Sequence, residues 1–150
     1  MILASEIRKF QSYTDMAVAQ QKDVDNFPMC FLFGRMSDEE IRKELKKNLG
    51  VDSLDECMRS PYGGIIRKDS LDFLELMFEN HNRERKHFEE DYKHLVDSIV
   101  TEMCNHEYAY TRDCAEVLNA LGRTEEIFSD KRFDKAWRDA ERIVLKEDAA

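Results

Sequence analysis

Residues 69–104 read DSLDFLELMFENHNRERKHFEEDYKHLVDSIVTEMC, and neither Gly nor Pro interrupts the chain from Asp69 until Gly122. Along this stretch Leu71, Leu74, Phe78, His81, Arg85, Phe88, Tyr92, Leu95 and Ile99 recur at intervals of three and four, the spacing that lines one face of an α-helix. The fold is therefore built around helix. A single helix from Leu71 to Cys104 would be long for an ordinary domain, and Glu89-Glu90-Asp91 offers side chains able to cap a second one. One long helix, and two helices with a bend at 89–91, fit the pattern equally well.

Toward the N-terminus, Tyr62–Lys68 holds Gly63-Gly64 followed by Ile65-Ile66 and reads as a strand with close backbone approach. Ser53-Leu54-Asp55-Glu56 and Ser37-Asp38-Glu39-Glu40 both carry a capping signal, in which a serine hydroxyl accepts from an amide of the first turn. Pro61 limits the first to a turn or two, while the second opens a helix with Ile41, Leu45 and Leu49 on one face that stops at Gly50. Phe27–Phe33 is apolar throughout and predicts a buried strand over 28–33, paired with 62–67. Before it, Ile7, Phe10, Tyr13, Ala17 and Val18 predict a helix from Ser5 to about Gln21. Toward the C-terminus, the alternation of Tyr108 and Tyr110 predicts a third short strand or an extended crossing. Asp113 caps a helix from Cys114 to Leu121 that Gly122 closes, and Phe133, Trp137, Ala140 and Val144 stripe a final helix from about Lys131 to Lys146. The expected class is α+β, predominantly helical, with about five helices around a two- or three-stranded sheet made of 28–33, 62–67 and 108–111. Phe27, Phe31, Phe33, Phe73, Phe78, Phe88, Phe133 and Trp137 are read as core.

Bulk numbers bound the function. The 150 residues are 42% hydrophobic and 37% charged, enough apolar surface for one domain spanning 1–150 with its own core. The 32 acidic residues exceed the 23 basic ones, a net charge of −9, and no basic arm or patch is present. Direct binding to nucleic acid is disfavoured, because duplex binders concentrate positive charge to displace counterions. A partner should instead present a basic surface. No apolar run approaches the length of a membrane span, and Met1-Ile2-Leu3-Ala4-Ser5-Glu6 turns polar too early for a signal peptide, so the expected location is the cytoplasm. Cys30, Cys57, Cys104 and Cys114 are widely spaced and read as reduced thiols.

Three constellations could carry chemistry. Cys104, His106, Glu107 and Cys114 gather two thiols, an imidazole and a carboxylate, the donor set zinc prefers, without the close Cys-Cys knuckle of a strong zinc motif; the alternative is two small core cysteines and a histidine that caps the preceding helix. Glu84 with His87, and Asp91 with His94, repeat a carboxylate–histidine pair at three-residue spacing, which grips a divalent ion when such pairs face each other, and which on one segment is otherwise a solvated face. The acidic run Glu89, Glu90, Asp91 and the tyrosines Tyr108 and Tyr110 are the candidate contacts for a basic partner, tyrosine near polar residues being enriched at interfaces. Gly63-Gly64 lacks the remaining residues of a phosphate-binding loop. No catalytic set emerges.

Phe27–Gly34, Tyr62-Gly63-Gly64-Ile65-Ile66-Arg67-Lys68-Asp69, Asn105-His106-Glu107-Tyr108 and Leu118-Asn119-Ala120-Leu121-Gly122 occur in an order that resembles an uncharacterised family of short acidic proteins from tailed phages and gut bacterial prophages. The resemblance covers roughly residues 27–124 and implies a source and a fold, with no catalytic residue to carry over. What it implies of function is an acidic, phage- or prophage-encoded protein in the host cytoplasm that masks a host protein surface, as an inhibitor of host defence of the anti-CRISPR-like kind. Two other classes stand beside it: a metal-binding domain or metal-dependent enzyme built on the Cys/His/Glu cluster, and a virion structural or assembly factor, which requires an oligomer, a dimer being the simplest.

Overall fold

The computed structural model describes residues 7–149, with side chains through Lys146. Seven α-helices and one two-stranded antiparallel sheet lie among the described residues: α1 (Tyr13–Asn26), α2 (Asp38–Leu49), β1 (Cys57–Arg59), β2 (Ile65–Arg67), α3 (Leu71–Glu89), α4 (Tyr92–Asn105), α5 (Tyr108–Thr111), α6 (Cys114–Ala120) and α7 (Lys131–Ala149). The chain is mainly helical, which overturns the expected α+β class. The sheet joins neighbouring segments, with Cys57 opposite Arg67 and Arg59 opposite Ile65. The segment 28–33 contributes no strand, only a single bridge at Cys30, whose amide and carbonyl both bond to Ile65 at 2.8 Å. Residues 108–111 form a helical turn instead of a third strand.

Two compact units make up the described chain. Gln20–His81 forms the first; the segment ending at Ala19 and the segment beginning at Asn82 form the second. In the first, Ser37 caps α2 by accepting from the Glu40 amide, and the Glu40 carboxylate bonds back to the serine hydroxyl at 3.2 Å. Gly50 ends that helix at φ 68°, the left-handed conformation glycine adopts without penalty. Leu45, Leu49, Val51, Cys30 and Cys57 form a small core with Ile41, Leu32 and Ile65 against it. All four cysteines are free thiols, and burial raises the pKa of Cys30 and Cys57.

The second unit holds the larger core. Leu95, Ile99 and Met103 of α4 pack against Phe133, Trp137, Ala140 and Val144 of α7, with Val117, Leu118 and Leu121 closing one side. The chain breaks between α3 and α4 at Glu90-Asp91, where Asp91 caps α4 through the Lys93 amide. That decides between the one-helix and two-helix readings. Arg132 donates to the Glu89 and Glu90 carbonyls and so satisfies the end of α3, while Arg123 holds the buried Glu89 carboxylate at 2.7 Å. Burial raises the pKa of Glu89 and Arg123 opposes the shift. The first helix starts eight residues later than predicted: Ser5 and Glu6 lie outside the described residues, and 7–12 are irregular. Its inward face is Tyr13 and Met16, while Val18 is exposed. No helix among the described residues is long and apolar enough to cross a membrane.

Candidate functional site

The cysteine–histidine cluster does not assemble. Cys104 is exposed at the end of α4. His106 follows the helix with its Nε2 3.5 Å from Glu102 and its Nδ1 3.3 Å from Glu116. Glu107 takes φ 52° as the hinge into α5, and Cys114 lies 3.7 Å from the Tyr108 hydroxyl. Among the described residues no three His, Cys, Asp or Glu side chains come together as ligands for a metal ion. The second constellation is likewise occupied by structural contacts. The buried Glu84 accepts from Arg8 Nε at 2.6 Å and from the second guanidinium nitrogen at 3.0 Å. His87 sits 3.4 Å from Glu90, Asp91 caps α4, and His94 stacks flat on Phe88 at 4.2 Å.

The candidate partner contacts divide. Glu90, Asp91 and Tyr110 are exposed; Glu89 and Tyr108 are buried. Tyr108 donates to Glu141 at 3.1 Å and meets Trp137 edge-on at 5.6 Å, a core position reached because α5 is helical and turns that ring inward. The five residues therefore do not form one surface.

The first unit carries what sequence reasoning missed. Phe31, Phe33 and Phe73, expected in the core, each keep more than half of their surface exposed, and so does Tyr62. Phe31 and Phe33 stack at 6.3 Å, and Tyr62 lies on Phe78 at 4.2 Å. Gly64, at φ 74°, lets Met29 and Phe31 lie against the backbone; a Cβ there would fall 2.8 Å from Met29 and 3.0 Å from the Phe31 ring. The alternate spacing of Phe31 and Phe33 was available as a sign of a shared face, but with no strand partner that face stays open.

In the same unit a cleft of about 310 Å³ lies between the end of α1 with the turn after it and the start of α3. Phe27, Pro28, Phe73, Leu76 and Met77 supply apolar walls, and Asp23, Asn26, Asn80 and His81 the polar groups. His81 is buried, its Nε2 2.8 Å from Asp23 Oδ2 and its backbone carbonyl accepting from Gln20. Among the described residues that line the cleft, no hydroxyl or thiol stands beside that pair.

A family model spanning residues 12–142 matches this chain and describes a family of unknown function, DUF7659. The chain belongs to that family. No curated protein and no solved structure matches it. The cleft and the four exposed aromatic rings all lie within the span matched to DUF7659, whereas Arg8, which holds Glu84, lies outside it.

Proposed function

We propose that this DUF7659 chain is a binding protein of phage or prophage origin that covers a basic surface of a host protein, contacting it through exposed aromatic side chains of its first unit. The observation that carries the reading is the exposure of Phe31, Phe33, Tyr62 and Phe73 in that unit. Aromatic side chains supply rigid contact area and are enriched among the residues that dominate interface energetics. The net charge of −9 supplies long-range attraction to a basic surface, which raises association rate more than final affinity. The order of the four short sequence motifs supports the phage origin, and inhibition of host defence is the role such a masking protein would serve.

The test is capture of binding partners by the tagged chain from lysate of a gut bacterial host, at low and high salt, beside a Phe31→Ser/Phe33→Ser/Phe73→Ser variant. One stoichiometric protein is expected, lost at high salt and lost with the triple variant, whose circular dichroism and melting match the parent. A partner retained by the variant would overturn the assignment of the contact. An empty capture with a concentration-dependent oligomer would favour an assembly role in place of masking.

A further inference from the structure

Acids and bases are interleaved along the sequence of α7, yet the folded helix sorts them by sign. Lys131, Arg132, Lys135, Arg138, Arg142 and Lys146 are exposed, and among its described side chains the one other exposed residue is Ile143. The carboxylates Asp134, Asp139 and Glu141 are half-buried and answered within the unit: Asp134 by Arg138 at 3.1 Å, Asp139 by the Tyr92 hydroxyl and Arg142, and Glu141 by the Tyr108 hydroxyl. Arg132 stands to one side, holding the Glu89 and Glu90 carbonyls. The other five cations follow intervals of four, three, four and four. At about 100° and 1.5 Å per residue they form one row roughly 22 Å long, on the side away from the buried Phe133, Trp137, Ala140 and Val144. Arg138 and Arg142 each give a nitrogen to a carboxylate of their own helix and keep 68% and 78% of the side chain exposed. Counted together with Asp134 and Asp139, the row still holds an excess of three positive charges.

The borders of the row select what can lie on it. By helical position Asp134 and Glu141 flank it on one side and Asp139 on the other. A broad polyanion, a nucleic-acid duplex or an anionic bilayer, would press its charges against these acids and against the rest of a chain of net −9. A single file of carboxylates on the edge of a helix meets the row alone. The chain carries such a file on the first turns of α3, where Asp72, Glu75 and Glu79 are exposed at intervals of three and four and make no ion pair among the described residues. Lys135, Arg138 and Arg142 have the same intervals in the same direction, and Lys131, Lys135 and Arg138 have them in reverse. The two helices therefore match in register whether laid parallel or antiparallel. An exposed apolar residue follows each file, Phe73 after Asp72 and Ile143 after Arg142.

We propose that the basic row of α7 docks on Asp72, Glu75 and Glu79 of a second copy of this chain. The contact joins two different surfaces, so it repeats from copy to copy unless the rotation closes a ring. Exposed ion contacts are individually weak and screened by salt, so the association belongs to concentrated protein at low ionic strength. It goes beyond the host-protein reading and does not depend on it.

The test is sedimentation equilibrium of the full chain up to about 0.5 mM, in about 50 mM and about 500 mM NaCl. In low salt the apparent mass should climb above 17.7 kDa with concentration, and high salt should weaken the association roughly tenfold, the worth of three exposed ion contacts. Two charge-reversed variants place the contact: Lys135→Glu/Arg138→Glu/Arg142→Glu on α7, and Asp72→Lys/Glu75→Lys/Glu79→Lys on α3. Each alone should stay at the mass of one chain, and an equimolar mixture should associate again, because the reversed files then face each other. The α3 variant guards against a general charge effect, since its three changes take the net charge from −9 to −3 and lessen repulsion between copies. Association of that variant alone as strong as the parent's overturns the inference, as does a parent that stays at 17.7 kDa or a mixture that does not associate. Circular dichroism and melting check both variants; if the α7 variant unfolds, the α3 variant alone against the parent decides. A random-sequence DNA duplex is titrated in parallel. Binding lost with the α7 variant, from a parent that does not self-associate, would overturn the choice of a second copy in favour of phosphate.

Discussion

Tyr13, Tyr92 and Tyr108 hold their phenols in the second unit against nearby carboxylates. Burial is the main cause that raises their pKa, followed by Glu102 for Tyr13, the hydrogen bond to Asp139 for Tyr92, and Cys114 then Glu141 for Tyr108. Tyr13 and Tyr92 are each pushed from 10 up to about 12. A group whose folded pKa lies above its unfolded value stabilises the fold fully below pH 10 and loses that contribution as pH rises toward 12. Absorbance at 295 nm, followed against pH alongside circular dichroism, should withhold the ionisation of three of the five tyrosines until the helical signal falls, and Tyr108→Phe should reduce the withheld part by a third. Smooth ionisation of all five ahead of unfolding would show that these phenols are not shielded. At this scale the sequence was legible where periodicity was long: Leu74, Phe88, Leu95, Ile99, Phe133, Trp137, Ala140 and Val144 are buried as their spacing predicts. It misled at Phe31, Phe33 and Phe73, because hydrophobicity records the tendency to leave water and not whether a neighbour exists to provide cover.

Helix ends read well from sequence because a cap is a local event: Ser37, Asp91 and Asp113 each accept from an amide two or three residues on, and Gly50 and Gly122 adopt positive φ. The sheet read poorly because pairing is not local. The three residues of β1 sit between a 3₁₀ turn and Pro61 with no period to betray them, and 28–33 finds one bonded residue instead of a ladder. The helical turn α5 is the sharpest case. Alternation of Tyr108 and Tyr110 suggested extended backbone, whereas the chain bends into helix between Glu107 at φ 52° and Arg112 at φ 55°, the two non-glycine residues of positive φ among those described. A side chain in that region is strained by about 1 kcal/mol, partly offset by the entropy a glycine would lose on folding. Glu107→Gly should therefore stabilise the chain by about 0.5 kcal/mol, seen as a melting temperature higher by about 1–2 °C. Were Glu107 a metal ligand, the same change would lower melting and remove any effect of chelator. The two outcomes differ in sign, so one thermal scan separates a backbone hinge from a ligand.

On the scale of the whole molecule the excess of acid over base must act on stability before it acts on any partner. The exposed pairs Lys46–Asp52, Arg67–Asp69, Arg138–Asp134 and Arg142–Asp139 each contribute little in water. The pairs Arg8–Glu84 and Arg123–Glu89 are largely withdrawn from solvent and screened only weakly by salt. What salt can change is the mutual repulsion of a chain carrying net −9, a long-range cost to the compact state. Raising NaCl from low to physiological concentration at pH 7.5 should thus raise the melting temperature by about 2 °C. The rise should vanish near pH 5.0, where the chain carries no net charge. A fall with salt would mean that attractive pairs outweigh repulsion and that the acids are balanced where they stand. The sign also bears on function, because the same ions screen attraction to a basic partner. A chain that grows more stable with salt while its captured partner dissociates keeps its negative charge for the contact, at a cost to its own fold. If both quantities ignore salt, the acidity serves solubility alone, and the exposed rings of the first unit must bind without electrostatic help.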